Sequence, residues 1–311
     1  MTRTLRLHRS TWRAEGVVQL DLTDPAGAEL PEWSPGDHLL LHLPNGLDRE
    51  YSLCGDPRDR HTYSVAVLDE PSSRGGSSHV HRGLPVGTRF EVSGPRSNFA
   101  LEPAPEYLLV AGGIGITPIR AMAAELDRTG ADVRLLYCGR SRASMAFLDD
   151  LAELLGDRLT VHADDEEGQL PDIPGVLKGF GTDGLVYCCG PAPLIDAVQD
   201  GAADPDRVRV ERFRAPEAPA SSTPAEGFAV ICDRSGTRVD VGPDESVLEA
   251  LGDAGLDVPS SCQEGICGTC ETRVVSGEVD HRDFLLSDGE RADRMLVCVS
   301  RSSGGELVLD L

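Results

Sequence analysis

Cysteines at 262, 267, 270 and 298 stand in the pattern C-x4-C-x2-C-x27-C, the first three within "SCQEGICGTC" and separated by glycines at 265 and 268. Four thiolates can close a tetrahedral zinc site, or they can hold a two-iron, two-sulfur cluster that moves single electrons. Zinc sites usually present two C-x2-C knuckles, whereas C-x4-C-x2-C with a distant fourth cysteine is the plant-type iron–sulfur spacing. The interposed glycines let backbone N–H groups bend toward the sulfurs, where such hydrogen bonds help set a potential. The other five cysteines, at 54, 138, 188, 189 and 232, lie in apolar runs, where a thiol behaves as a small hydrophobe.

A second chemistry is written in "VAGGIGITPIR", where an apolar run turns into a helical pattern through Gly112, Gly113 and Gly115. Residues this small let the amides of a helix start approach a pyrophosphate, with the helix dipole adding to the attraction. Thr117 is placed to cap that helix and Pro118 suits its first turn. "LVYCCGPAPLIDAV" repeats the arrangement and sets Cys189, Gly190 and Pro191 at the carboxyl edge of the same sheet, where open α/β folds bind ligands. Taken singly, a Gly-rich turn is what any tight strand-to-helix connection needs and Cys189 is a buried thiol; two such edges in one sheet favour a dinucleotide.

Two further stretches could meet a flat anionic cofactor. In "REYSL" the strand alternation puts Arg49, Tyr51 and Leu53 on one face and Ser52 on the other, although a barrel strand with an exposed arginine explains the same residues. In "SSRGGSSHVHRGL", Arg74, Gly75, Gly76 and Ser77 precede a short helical segment and form an anion nest of flexible backbone, hydroxyl and one cation.

These residues need elements to hold them. At 311 residues the chain is long for one core and suits two or three domains. Residues 1–104 read as short strands between Gly, Pro, Asp and Asn turns, the pattern of an antiparallel β barrel or sandwich, here taken as a barrel. Residues 105–214 alternate strands with helices, as in a parallel sheet covered on both faces. There Ile119, Met122, Ala123 and Leu126 repeat at helical spacing, as do Phe147, Leu151, Leu154 and Leu155. Residues 215–225 read as a Pro-, Ala- and Ser-rich linker, followed by a cysteine module over 226–311.

The formal charge is −23, and the last 86 residues carry 18 acidic side chains against seven arginines. Such a chain repels phosphate backbones and anionic lipid, so nucleic acid and membranes are poor partners and a protein with a basic face is a better one, although acidity also serves solubility alone. No run reaches the length of a membrane span, the start lacks a signal-peptide pattern, and nine cysteines without an export signal point to the cytoplasm.

The set Arg49-x-Tyr51-Ser52-Leu53, Gly112-Gly113-Ile114-Gly115-Ile116-Thr117-Pro118, Cys189-Gly190-Pro191 and the C-terminal C-x4-C-x2-C…C resembles the phthalate dioxygenase reductase and vanillate demethylase reductase family. The resemblance spans essentially the whole chain. It implies a multidomain protein: an antiparallel β barrel for flavin, an α/β parallel-sheet domain for NAD(P)H and an α+β ferredoxin domain of the β-grasp type. It implies FMN held by Arg49, Tyr51, Ser52, Leu53, Arg74, Gly75, Gly76 and Ser77, and a pyridine-nucleotide diphosphate at Gly112, Gly113, Ile114, Gly115 and Thr117. Cys189, with Gly190 and Pro191, would lie beside the nicotinamide, and Glu211 and Phe213 resemble the family's pair at the end of this domain, with an aromatic near the flavin. Cys262, Cys267, Cys270 and Cys298 would hold the 2Fe-2S cluster.

The function so implied is that of a reductase component. Hydride passes from nicotinamide to flavin, then single electrons pass through the cluster to a Rieske-type oxygenase or a cytochrome P450, with Ser52 and Cys189 orienting and tuning the reacting groups. Arg140, Ser141 and Arg142 follow the second strand, where an acidic residue would favour NADH and an arginine could accept the 2′-phosphate of NADPH; the family norm is NADH, so both remain open. Two rivals stand beside this reading: the electron-transfer subunit of another flavoenzyme, and a zinc-stabilised binding protein that senses nucleotide.

Overall fold

The computed structural model describes residues 2–71, 75–216 and 226–311. It falls into two compact units, 1–213 and 214–311. Arg74 and most of the expected linker lie outside the described residues.

The first unit opens with six strands, β1 (Thr2–Ala14), β2 (Val17–Thr23), β3 (Asp37–His42), β4 (Asp48–Ser52), β5 (Thr62–Leu68) and β6 (Arg89–Ser97). They pair in the order β4-β3-β6-β1-β2-β5, every neighbour antiparallel. The outer strands meet through a Leu53–Val65 bridge and a hydrogen bond from the Cys54 amide to the Ser64 carbonyl at 2.9 Å, which closes the sheet into the expected barrel. Alternation fills its interior with Leu5, Leu7, Leu20, Leu22, Leu39, Leu41, Leu53 and Val65. Helix α1 (Gly76–Gly83) follows β5, entered through Gly75 at φ 95°, a left-handed conformation that suits glycine.

The parallel sheet contains β7 (Glu106–Gly112), β8 (Asp132–Gly139), β9 (Leu159–Ala163), β10 (Leu185–Cys189) and β11 (Val208–Glu211), in the order β11-β10-β7-β8-β9. Around it lie α2 (Ile116–Thr129), α3 (Leu148–Leu155), α4 (Asp164–Glu167), α5 (Ile173–Lys178) and α6 (Ala192–Gly201). The short α4 and α5 leave no apolar periodicity long enough to read in sequence. Ile119, Met122, Ala123 and Leu126 are all buried, as their spacing predicts. Phe147 is not the first residue of its helix: it stands just before α3 in a left-handed conformation at φ 61°, with the guanidinium groups of Arg13 and Arg120 over its ring at 5.3 and 4.8 Å.

Barrel and parallel sheet share one core. Ala14, Val17, Cys54, Ala66 and Phe99 pack in a single apolar cluster with Tyr107, Ile119, Met122 and Phe147. Phe99 meets the Tyr187 ring edge-on at 5.4 Å, and the Tyr187 hydroxyl donates to the Ala100 carbonyl at 3.0 Å.

The second unit is a mixed sheet of β12 (Phe228–Cys232), β13 (Thr237–Val241), β14 (Glu271–Asp280), β15 (Arg294–Leu296) and β16 (Arg301–Leu309), ordered β13-β12-β16-β14-β15 with the β12–β16 pair parallel. One helix, α7 (Val247–Asp253), packs on it and begins with a capping box in which Ser246 and Glu249 satisfy each other's backbone amides. This is the expected α+β ferredoxin fold. Among the described residues no helix is long and apolar enough to cross a membrane.

Candidate functional site

The carboxyl edge of the parallel sheet is built by glycine. A Cβ on Gly115 would stand 2.2 Å from the Cys189 carbonyl oxygen, and one on Gly112 would stand 2.6 Å from Cδ of Pro191, so the turns after β7 and β10 touch backbone to backbone. Gly190 completes the contact, since a Cβ there would fall 3.0 Å from Cα of Gly112. Gly113 differs: at φ 55° it faces open space, which leaves its main chain accessible at the entrance to α2. Thr117 does not cap the helix as its sequence position suggests. The chain passes through a 3-10 turn at Gly113–Gly115 first, so Thr117 lies inside α2, 2% exposed, and its hydroxyl donates back to the Ile114 carbonyl at 3.0 Å. Ile114 is half-buried against the shared core.

Cys189 and Glu211 are register partners at the ends of β10 and β11, so the pleat aims both side chains the same way. Ser52, at the end of β4 in the barrel, reaches the same carboxylate: its hydroxyl donates to Glu211 Oε2 at 3.4 Å, and the Cys189 thiol lies 4.0 Å from that oxygen. Three residues from three strands thus converge on one atom. Burial pushes the Glu211 carboxyl up to about 8, opposed by the Ser52 hydroxyl and assisted by Glu50. Burial also raises the Cys189 thiol well above its ordinary range, so at neutral pH hydroxyl, carboxyl and thiol are all uncharged. Phe213 lies just beyond β11, 39% exposed.

Glu211 supplies a sign-definite pH test. Its carboxyl titrates near 4.5 when unconstrained and near 8 here, so between those values the folded chain holds a proton that the unfolded chain lacks. The group therefore costs nothing below the lower value, costs increasingly through that window, and its full penalty is present above about 8. The melting-temperature gain of Glu211→Gln over the parent should be larger at about pH 9 than at about pH 5. An equal difference at both would show that this carboxyl titrates normally.

On the barrel, the Arg49 side chain runs against Gly76, whose Cβ would fall 2.6 Å from Arg49 Nε. A cation is thereby laid at the first turn of α1, next to the left-handed Gly75, and this cradle fits a phosphate group. Ser77 is buried, its hydroxyl accepting from the Glu70 amide at 3.2 Å. Tyr51 is half-buried, and burial pushes its phenol up to about 12. Leu53 departs from the expected ligand set: its side chain is wholly buried in the barrel core and its amide donates to the Asp37 carbonyl at 2.8 Å, so it supports the site without facing it.

In the second unit Cys270 and Cys298 are buried in the core, Cys267 is buried and Cys262 half-buried. The neighbouring thiols act on one another: Cys262 is drawn well below the thiol range by Cys267 first and Cys298 second, and Cys298, facing Cys262 and Cys270, is pushed up. The Glu264 amide donates to Cys262 Sγ at 3.3 Å, and Thr269 Oγ1 lies 3.4 Å from Cys267 Sγ. Gly265 and Gly268 adopt φ of 73° and 77°, which turns the loop around the sulfurs. Among the described residues no group of three or more His, Cys, Asp or Glu side chains could hold a metal ion as it stands. Four thiols gathered in one loop system, with an amide already donating to sulfur, fit an iron–sulfur cluster.

Sequence reading missed Asp283. Its side chain is fully buried beneath this loop, accepting from the Leu286 amide at 2.8 Å, while the Phe284 amide donates to the Gly265 carbonyl at 3.0 Å. An acidic residue in an acidic module carries no sequence signal that it is buried.

Comparison with known proteins resolves the class. The family model of the 2Fe-2S iron-sulfur cluster binding domain matches residues 230–303 and that of the oxidoreductase NAD-binding domain matches 109–200. Phthalate dioxygenase reductase of Burkholderia cepacia is 41% identical over 305 residues, covering 96% of this chain and 94% of that protein. The chain belongs to the phthalate dioxygenase reductase family. Phenoxybenzoate dioxygenase subunit beta of Ectopseudomonas oleovorans is 43% identical over 313 residues, covering 99% of this chain and 97% of that protein. An intact type IV self-sufficient cytochrome P450 monooxygenase matches the whole chain with a TM-score of 0.91 and 42% identity; this chain spans 41% of that one. As a member of the phthalate dioxygenase reductase family, the protein is an NAD(P)H-dependent flavin and iron–sulfur oxidoreductase, and the zinc-stabilised binding protein is set aside.

Proposed function

We propose that the chain takes electrons from NAD(P)H at the junction of barrel and parallel sheet and delivers them singly, from the cysteine loop, to an oxygenase. The convergence of Ser52, Cys189 and Glu211 on one carboxylate oxygen supports this most directly, because it joins a flavin-type barrel strand to the sheet edge where a nicotinamide would lie. When bound, the nicotinamide supplies two electrons as hydride, FMN divides them and the 2Fe-2S cluster relays them one at a time.

The chain's own residues bind, orient and hold protons. Arg49 and the first turn of α1, with Gly75, Gly76 and Ser77, take the FMN phosphate; Tyr51 lines the ring, and Phe213 covers it. Gly113 and the start of α2 take the nucleotide diphosphate. Cys189 presents a neutral thiol to the nicotinamide, and Glu211, protonated at neutral pH, holds its proton while its Oε2 accepts from the Ser52 hydroxyl. Cys262, Cys267, Cys270 and Cys298 are the cluster ligands.

The ferredoxin unit's excess of eleven negative charges steers it to a basic face on the oxygenase, Rieske-type or P450, and that association should weaken with salt. We place this work in the cytoplasm, where cysteines stay reduced and available as cluster ligands.

Arg49→Ala tests the route. The purified parent should show flavin and iron–sulfur absorption and reduce ferricyanide with a nicotinamide nucleotide. The variant should lose flavin on dilution, its Kd rising roughly tenfold or more for one lost charge-assisted phosphate contact. Full flavin retention would mean that Arg49 serves the barrel alone, and a colourless parent would end the reductase reading.

A further inference from the structure

The parallel sheet gives a bound dinucleotide a direction. β10 and β8 flank β7 on opposite sides, and the phosphate turn at Gly113 follows β7. With the nicotinamide beside Cys189 at the end of β10, the adenosine half must run the other way, toward the end of β8, where Arg140, Ser141 and Arg142 stand. The loop there is tied to the next one outward: the Asp165 amide, in α4, donates to the Arg140 carbonyl at 3.1 Å.

Sequence alone offers two arginines to a 2′-phosphate. The structure engages one of them. Arg142 Nε donates to both carboxylate oxygens of Glu166, each at 2.9 Å, across 24 residues of chain. Ser141 is occupied too, its hydroxyl 3.3 Å from that of Ser144. Arg140 is exposed, and among the described residues its guanidinium has no hydrogen-bond or ion-pair partner. Asp164, Asp165 and Glu167 surround Glu166 in α4, with Asp164 3.4 Å from His162 Nε2, so the edge facing the ribose carries more negative than positive charge.

We propose that Glu166 is the coenzyme-specificity residue of this reductase: by holding Arg142 and adding its own charge at the end of β8, it turns the site toward NADH and away from NADPH. The inference rests on the proposed nucleotide site. A ribose with two hydroxyls brings no charge to this edge and can use Arg140 as it finds it. A 2′-phosphate brings close to two negative charges and would have to displace a carboxylate from Arg142 while standing beside three others. Both partners of the ion pair are about half exposed, so the pair itself is weak and the discrimination comes mainly from the charge of Glu166.

The test compares full-length, flavin- and cluster-loaded protein with its Glu166→Gln, Arg142→Ala and doubly substituted forms, using ferricyanide reduction with each nucleotide. Glu166→Gln should raise the ratio of kcat/KM for NADPH over NADH on the order of tenfold, since a full charge near a dianion is removed and a guanidinium released. Arg142→Ala in the Glu166→Gln background should give back the smaller part of that gain, the share owed to the released guanidinium. An unchanged ratio in Glu166→Gln overturns the proposal, and so does a gain that the double variant keeps in full. If the parent reduces ferricyanide with neither nucleotide, the proposed function fails instead, so the two failures are distinguishable.

Discussion

Cys267→Ser should yield a protein that still oxidises NAD(P)H with ferricyanide as acceptor and no longer delivers electrons to an oxygenase or to cytochrome c. Cys267 lies in the second compact unit, whereas Ser52, Cys189 and Glu211 lie in the first, so the loss should not spread. A serine hydroxyl, far less acidic than a thiol, is a poor ligand to iron, so one of the four expected cluster ligands is lost. The iron–sulfur absorption and the bound iron should fall away while flavin absorption stays, and the ferricyanide rate should hold within about twofold because substitutions in separately folded units act nearly independently. Loss of both activities in a folded variant would refute the division of labour between the units.

Gly115→Ala should show an effect as large at the other end of the route. The added methyl would stand 2.2 Å from the Cys189 carbonyl oxygen and 2.5 Å from its carbon, and backbone on both sides leaves nothing flexible to yield. The turn before α2 must then separate from the end of β10. Overpacking of this kind costs about 3 kcal/mol, which lowers the melting temperature of a unit of this size by roughly 6–12 °C. Because Cys189 sits at the point of contact, the KM for NAD(P)H should rise on the order of tenfold or more with the displacement. Calorimetry and steady-state kinetics read the two effects separately, and a variant that melts and binds like the parent would show that the two turns are not in contact.

How much of this was readable beforehand depended on whether a residue's role is local. Strands with alternating apolar residues and the α2 pattern at Ile119, Met122, Ala123 and Leu126 announce themselves, because period and burial are the same fact. The cysteine spacing likewise names its chemistry before any fold is known. Thr117 misled because its position as a cap depends on where the 3-10 turn ends, a difference of two residues that sequence does not carry. Leu53 misled because alternation puts it on the face of Tyr51 without saying that this face is the barrel core, in which Leu53 is wholly buried. The Arg142–Glu166 pair and the buried Asp283 join residues that are far apart in sequence or gain their meaning only from the surface they leave. Nothing in composition distinguishes them from other charges.

The single apolar cluster that runs from Ala14 and Phe99 of the barrel to Ile119 and Phe147 of the parallel sheet bears on how such a chain can be rebuilt. A gene cut between the first two sheets would leave both fragments with an open hydrophobic face, and each would aggregate before it could be loaded. A cut after residue 213 leaves that cluster whole within the first unit. Natural shuffling or laboratory recombination should therefore exchange the electron exit as one cassette, while inheriting barrel and nucleotide sheet together as an indivisible piece.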